Sequence, residues 1–389
     1  MLHSTSDLYG ASRIFLQTAE IFKEQGAMVE VFLSEPGPLS EALSTKSINV
    51  HFLRLGILRR KYLHPVGILN RIYFLVRAVL ILKKFILDKQ MDLVYNNTAG
   101  VVSGLFAANL TGRPHLWHIH EIIVQPRSFA RLTANWMKTR SDLNVFVSDA
   151  TMDHWTTLDP QIVHLNKGIR IYNGILPAAE NKPIKAKQAA LDHFKLKFTD
   201  DISIIGMIGR INPWKGQTYF VEIARALIGK TKSVHFVMAG DPFPGYEYIR
   251  EEIGKKIKSY GLQTFFTDLG YQANNEQFFN LIDLLIVPST LPDPLPTVVL
   301  EAMAHRKPVV GTAHGGITEM IIEGITGYLI PPDDPAASAE IIQQLVGNRS
   351  LQLQMGAVGR KVVNTRFSPE RYKSLILEAV KKICKDSAL

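Results

Sequence analysis

One cysteine, Cys384, is present among 389 residues. That excludes a disulfide framework and any zinc site built on cysteine, and it fits a reducing compartment. Long apolar runs are missing too. The longest in the most apolar segment, residues 72–76 and 78–82, fall far short of the roughly 20 needed to span a bilayer. The opening residues, MLHSTSDLYGAS, lack the basic and apolar regions of a secretory signal, so a cytoplasmic chain is expected. No short-period repeat, no RNA- or DNA-binding motif and no histidine or aspartate cluster at metal spacing is visible, so neither nucleic acid nor a metal is an expected partner.

What is there is length and apolar content. At 46% apolar the chain can bury two ordinary cores, and two domains are the natural expectation. Its formal charge of +9 is uneven. Residues 51–150 hold 14 Lys+Arg against 5 Asp+Glu, whereas residues 201–350 hold 12 against 16. The first half therefore carries the excess, as a solvated basic face or as a surface facing an anionic partner.

Residues 288–316, PSTLPDPLPTVVLEAMAHRKPVVGTAHGG, organise the rest. An apolar strand at 284–287 runs into a Pro-rich loop, a helix over 297–304 and a second strand at 308–311. Pro296 suits the first helical turn, where a missing N–H costs nothing. The amides of Thr297, Val298 and Val299 are then left to face an anion at the sheet's carboxyl edge. Asp293 and Glu301 stand eight apart on either side. Read alone, Asp293 favours a turn and Glu301 a helix start. With the Gly315-Gly316 turn that follows, the spacing suits a phosphate that carries a sugar.

This stretch resembles the signature of the retaining glycosyltransferases of family 4, which have the GT-B fold. In that signature two Glu separated by seven residues precede an Ala-Met-Ala helix, then a Gly-Gly-x-x-Glu turn. Glu301 and residues 315–319, GGITE, match; Asp293 replaces the first Glu, and Leu295-Pro296 the usual Phe-Gly. The resemblance implies an α/β GT-B architecture of two Rossmann-like, doubly wound domains facing a central cleft. The boundaries read from the sequence are residues 1–175, a linker at 176–200, a nucleotide-sugar domain at 201–366 and a last helix, 367–389, crossing back to the first domain.

Further matches follow in chain order. Gly10, before a helix closed by Gly26, corresponds to the family's glycine beside the donor phosphate and the acceptor; by itself it is also a tight turn. The opening strand, residues 1–4, is short, and family counterparts start several residues earlier. Strands are expected at 29–33, 48–53, 93–95, 116–120 and 145–148. Alternation puts His118 and His120 on one face. The family has a histidine at this strand's end in the donor-sugar pocket, and His120 is the better match; a buried structural histidine is the other reading of either. Residues 57–90, with Arg59-Arg60-Lys61, Arg71, Arg77, Lys83 and Lys84 among Ile, Phe and Leu, form an amphipathic helix, packed on the sheet or lying on an anionic membrane surface.

In the second half, Gly209-Arg210 and Lys215-Gly216 match the family's Gly-Arg and Lys-Gly pairs after a strand. That loop does not supply G-x-G-x-x-G, so it is no dinucleotide fingerprint. Arg offers a fork to phosphate oxygens and Lys a mobile point charge, which suits a departing diphosphate; two solvated cations are the plainer reading. Gly270 corresponds to a loop beside the nucleotide base. The resemblance thus implies a retaining, metal-independent transferase without a cofactor. It would move sugar from a nucleotide-diphosphate donor to a glycan or lipid-linked acceptor in polysaccharide or glycoconjugate biosynthesis, on the inner face of the cell membrane. Arg210, Lys215, Asp293 and His120 would serve catalysis; Gly10, Gly209, Gly270, Thr297, Val298, Val299, Glu301, Gly315 and Gly316 would bind donor. A GT-B epimerase or phosphorylase and a basic nucleic-acid-binding protein are the rival readings.

Overall fold

In the computed structural model, residues 1–57, 65–176, 178, 183–199 and 201–384 are described. The chain divides into two compact units, Met1–Gly174 with Pro369–Leu389, and Ile175–Ser368. Each is built on parallel strands, most of them buried along their whole length because helices cover both faces of the sheet.

In the first unit the strands are β1 (Glu30–Leu33), β2 (Asn49–Phe52), β3 (Val94–Asn97), β4 (His115–Ile119), β5 (Leu143–Phe146) and β6 (Gly168–Arg170). β3 to β6 pair in sequence order, and β1 pairs with β2. The two sheets are joined by the N-terminus: Leu2 bridges both Phe32 of β1 and Asn96 of β3. The opening strand is thus a stub between β1 and β3. Counted as the first strand, it gives the order 3-2-1-4-5-6-7, a doubly wound sheet with one strand added at its edge, and strand order reverses beside it. Its core joins Phe15, Phe22, Tyr95, Leu116 and Val145 to Tyr372, Ile376 and Val380 of the final helix, Pro369–Ile383.

The second unit holds β7 (Ser203–Ile208), β8 (Val234–Ala239), β9 (Phe266–Asp268), β10 (Leu284–Val287), β11 (Val309–Thr312) and β12 (Gly327–Ile330), in the order β12-β11-β10-β7-β8-β9. This is the same winding, with its reversal between β7 and β10. Phe220, Phe236, Leu284 and Ile286 centre its core.

One segment differs from the sequence reading, and a second follows it. The stretch read as a linker contains a helix, Pro183–His193, anchored in the second unit by buried Ala190 and Leu191 and by the ion pair of Lys187 with Asp283. Its Lys-rich sequence hides a narrow apolar stripe. The basic-apolar segment forms the helix Pro65–Asp88. Leu82 and Ile86 pack beneath it with Phe32 and Val94, so one face is core. Arg59, Arg60 and Lys61 lie outside the described residues.

Candidate functional site

Ligands of doubly wound sheets bind where strand order reverses, at the strands' carboxyl ends. In the second unit that place is formed by the loops after β7 and β10. The first runs from Gly209 into the helix Gln217–Ile228. Gly216 sits at φ 78°, and a Cβ there would lie 1.8 Å from the Pro288 carbonyl oxygen. Only glycine lets the two loops meet so closely. Asn212 Oδ1 accepts the N–H groups of Trp214 (3.2 Å) and Lys215 (3.0 Å), and the Thr290 N–H donates to the Trp214 carbonyl (2.9 Å).

So held, the Lys215 ammonium pairs with the carboxylate of buried Asp293, while Ser289 Oγ lies 3.5 Å from the same oxygen. The structure therefore joins two groups that the sequence reading treated separately. Asp293 is fixed from behind by the Gly-Gly turn. The Gly316 N–H donates to its carbonyl (2.8 Å), and a Cβ on Gly315, at φ 64°, would meet that oxygen at 2.5 Å.

Arg210 stacks its guanidinium over Phe243 at 5.1 Å, and its carbonyl accepts from Gln217 Nε2 (3.2 Å). Gly209 and Gly270 meet at Gly240. The Gly240 N–H donates to the Gly270 carbonyl (2.8 Å), and a Cβ on Gly240 would lie 2.0 Å from the Gly209 oxygen. Beside them is a cavity of about 90 Å³ lined by Ile211, Gln217, Met238 and Arg250.

The helix Thr297–Ala304 starts one residue after Pro296, which is its N-cap. One expected donor is already used. The Val299 N–H bonds the Pro296 carbonyl at 3.0 Å, closing a tight first turn, so the amides of Thr297 and Val298 are the ones left at this end. Glu301 Oε2 accepts from Asn275 Nδ2 (2.8 Å), a partner that belongs to no sequence pattern. His314 was also passed over. It precedes the Gly-Gly turn, burial lowers its pKa, and neither ring nitrogen has a hydrogen-bond partner among the described residues.

The first unit builds something different at its own reversal. His120, just past β4, is set against Asn97 at the end of β3, with Nε2 2.9 Å from Asn97 Oδ1. Asn97 Nδ2 lies 3.0 Å from His3 Nδ1, His3 Nε2 lies 2.9 Å from Ser12 Oγ, and Ser12 Oγ donates to Asp7 Oδ1 (2.9 Å). The amide orientation of Asn97 fixes every direction. His120 donates to Asn97, Asn97 to His3, His3 to Ser12 and Ser12 to the Asp7 carboxylate. Burial, with His118 and His3 nearby, holds the His120 pKa well below its usual value, so the ring is neutral with its acceptor lone pair on Nδ1.

His118 is fully buried, with Nδ1 2.6 Å from Tyr95 Oη, and burial drops its pKa to about 3. It belongs to the core. Glu121 accepts the N–H groups of Ala99 (2.9 Å) and His120 (3.1 Å), yet burial pushes its carboxyl up to about 7. Gly10 opens the helix Gly10–Glu24 without a left-handed φ. Among the described residues no group of three or more His, Cys, Asp or Glu gathers as metal ligands.

Two family models match, Glycosyltransferase Family 4 over residues 9–178 and Glycosyl transferases group 1 over residues 189–362. The chain is 28% identical over 195 residues to the lipopolysaccharide 1,2-N-acetylglucosaminetransferase of Salmonella typhimurium, covering 48% of this chain and 50% of that relative. It thus spans about half that relative's length. It is 23% identical over 419 residues to the alpha-1,3/1,6-mannosyltransferase of Homo sapiens, covering 98% of this chain and 95% of the other. Among solved structures, Anabaena HepE in complex with UDP-glucose has a TM-score of 0.81 at 22% identity, covering 98% of this chain and 99% of that one. The sucrose-phosphate synthase of Thermosynechococcus elongatus has a TM-score of 0.77 at 18% identity, covering 99% of each. These structural likenesses speak to the fold, which is GT-B. With two such models matched in succession on two doubly wound units, the chain belongs to the group 1 glycosyltransferases of the family 4 type.

Proposed function

We propose that this chain transfers a sugar from a nucleotide-diphosphate donor to a glycan or lipid-linked acceptor, with retention at the anomeric carbon and without a metal. The observation that carries the reading is the Lys215–Asp293 pair, bridging the two loops at the reversal of the second sheet.

The chemical demand is charge on the leaving group. As the bond from the anomeric carbon to the diphosphate oxygen breaks, negative charge grows on the diphosphate. Arg210, Lys215 and the Thr297 and Val298 amides supply positive charge and N–H donors fixed before the reaction starts. Asp293 and Glu301 are acceptors for sugar and ribose hydroxyls. In the first unit, His120 keeps Nδ1 as an acceptor for a sugar hydroxyl. The acceptor oxygen bonds to the anomeric carbon on the face the diphosphate leaves, and its proton passes to the departing phosphate oxygen. The products are the glycoside and the nucleoside diphosphate, so no protein nucleophile is required.

A lipid-linked acceptor draws support from the helix Pro65–Asp88. Its outer face repeats at three- and four-residue steps as Val66, Leu69, Tyr73, Val76 and Leu80, from 54% to 73% exposed. Arg77 and Lys84 fall within the same arc at helical spacing. Apolar side chains bordered by cations suit a helix lying in the plane of an anionic lipid surface. Among the described residues no helix is long and apolar enough to cross a membrane.

The test is a panel of nucleotide-diphosphate sugars without acceptor, read for released sugar and, with acceptor, for product anomer by NMR. One donor should be hydrolysed slowly, the activity should persist in EDTA, and the product should keep the donor's anomeric configuration. Inverted product, an epimerised donor, or activity lost to EDTA and restored by Mn²⁺ would each defeat the corresponding part.

A further inference from the structure

The second unit carries another charged cavity, at the opposite edge of its sheet from the loops just described. Lys215 and Asp293 follow the carboxyl ends of β7 and β10. This cavity instead opens at the amino ends of β10 and β11. The two edges are separated by the four residues of β10, roughly 13 Å at the rise of a strand. It measures about 160 Å³, and its lining includes Lys187, Asp283, Arg306, Lys307, Arg349 and Arg360. Five cations thus surround one carboxylate.

That carboxylate is fully committed. Asp283 is buried, with both oxygens 2.8 Å from Lys187 Nζ, one 3.4 Å from Arg349 Nη1 and the other accepting the Ile204 N–H at 2.8 Å. It anchors the loop before β10 and has no capacity left for a further cation. Lys307, between the helix Thr297–Ala304 and β11, is left over. Its ammonium has no hydrogen bond or ion pair among the described residues, although it lines a cavity that three other elements enclose. Partial burial in the cavity wall, reinforced by the positive charges of Lys187 and Arg349 and only partly offset by Asp283, lowers its pKa to about 8. An ammonium held in that state gains from any anion that enters, because the anion supplies both the missing acceptor and the missing charge.

We propose that this cavity is a phosphate-binding site, distinct from the nucleotide-sugar site, which takes a phosphate dianion free or as the terminal group of a small phosphomonoester. Lys307 contributes the central charge and Arg349 a half-exposed guanidinium at the entrance. A dianion balances the surplus better than a monoanion, and the fork of Arg349 matches two of its oxygens. The proposal stands on the cavity, the saturated aspartate and the leftover lysine, so it holds whichever sugar the enzyme transfers.

The experiment is isothermal titration calorimetry of the full chain with inorganic phosphate and, separately, glycerol 3-phosphate, at constant ionic strength. The variants are Lys307→Met, Arg349→Gln and Lys215→Ala. Saturable binding should persist in the Lys215→Ala protein and weaken at least tenfold in Lys307→Met and several-fold in Arg349→Gln. Tighter binding of glycerol 3-phosphate than phosphate would mark a phosphomonoester as the ligand, and equal affinities the phosphate group alone. Lys307→Met keeps the side chain's bulk and removes a partly buried charge, and its melting curve reports whether it folds. Arg349→Gln gives an independent reading from a half-exposed position. Binding lost in Lys215→Ala and unchanged in the other two would place the phosphate at the nucleotide-sugar loops and overturn the proposal, as would no saturable binding at all.

Discussion

The two units wind their sheets in the same order and reverse at the same place, yet they furnish that place in opposite ways. In the second unit the loops after β7 and β10 bring together opposite charges, Lys215 on Asp293, with Arg210 nearby on the ring of Phe243. In the first, residues after the Leu2 stub, at the end of β3 and just past β4 build a directed chain of neutral donors, from His120 through Asn97, His3 and Ser12, with one carboxylate at its far end. Topology fixes where a ligand can sit; side chains fix whether the place stabilises charge or orients hydroxyls. The proposed reaction needs both, and substitutions should separate them.

The largest effect is expected in the charged half. Arg210→Ala and Lys215→Ala should each lower turnover by about 10²–10³-fold, the usual loss when one fixed donor to developing charge is removed. Arg210→Ala should melt close to the parent. Lys215→Ala should also lose some stability, because it leaves the buried Asp293 carboxylate without its cation. Steady-state kinetics beside thermal melts read both, and near-normal turnover in either variant would remove that residue from the chemistry.

The neutral half should respond less in rate and more in fold. Asn97→Leu strands polar atoms on His3 and His120 together, so a loss of about 1–3 kcal/mol is expected for each buried group left unsatisfied. Turnover should fall about tenfold as His120 loses its fixed tautomer. His120→Gln should recover part of the rate if hydroxyl binding is the role. A variant with wild-type stability would show that the chain of bonds carries no weight.

Acid should also tell the units apart. Buried His115 and His118 have folded pKa values of about 3, below the ordinary value of 6.5. Their neutral forms favour folding above pH 6.5, and that contribution is lost as the pH falls from 6.5 towards 3. Each costs about a tenfold fall in the folding constant per pH unit within that window. Glu121 has the reverse sign. Its folded pKa of about 7 lies above the ordinary 4.5, so its contribution is full below 4.5 and lost as the pH rises through 7. Between pH 6.5 and 4.5 two histidines oppose one glutamate, so the first unit should lose a net factor of about ten in its folding constant per pH unit there and about twice that slope, on a logarithmic scale, below 4.5. In Glu121→Gln the opposition disappears and the steeper slope should already begin near pH 6.5, as melting against pH would show.

The smallest effect concerns the surface. Each cation near an anionic bilayer contributes roughly 1 kcal/mol, screened within a Debye length. The chain should therefore co-sediment with anionic vesicles at low salt and be released at high salt. A Leu69→Gln, Leu80→Gln pair should weaken this without altering the melt. Equal binding to neutral vesicles, or none to either, would leave the exposed stripe of Pro65–Asp88 without a lipid partner.

Much of this architecture was legible because parallel strands covered on both faces are near-continuous apolar runs, as at 203–208, 234–239 and 284–287. The glycines were legible as well, since Gly216 and Gly315 stand where only a missing Cβ allows the backbone contact. The chain from Asp7 to His120 was not. Its members come from the N-terminal loop, the helix Gly10–Glu24 and the ends of two strands, and only the sheet order makes them neighbours. Asn275 and His314 escaped for a related reason, as neither belongs to a pattern until Glu301 and the Gly-Gly turn are in place around it.

The final helix has a consequence for synthesis of the chain. The second unit is one continuous stretch, Ile175–Ser368, and can close its core once that stretch has left the ribosome. The first unit cannot. Phe15 and Tyr95 wait for Tyr372 and Ile376, and Thr18 Oγ1 waits for the Tyr372 hydroxyl that ends 2.5 Å away. Translation therefore delivers the half made first in an unfinished form, with an apolar groove exposed until the last residues arrive. A nascent chain stopped before Pro369 should be protected from protease in its second unit and open in its first.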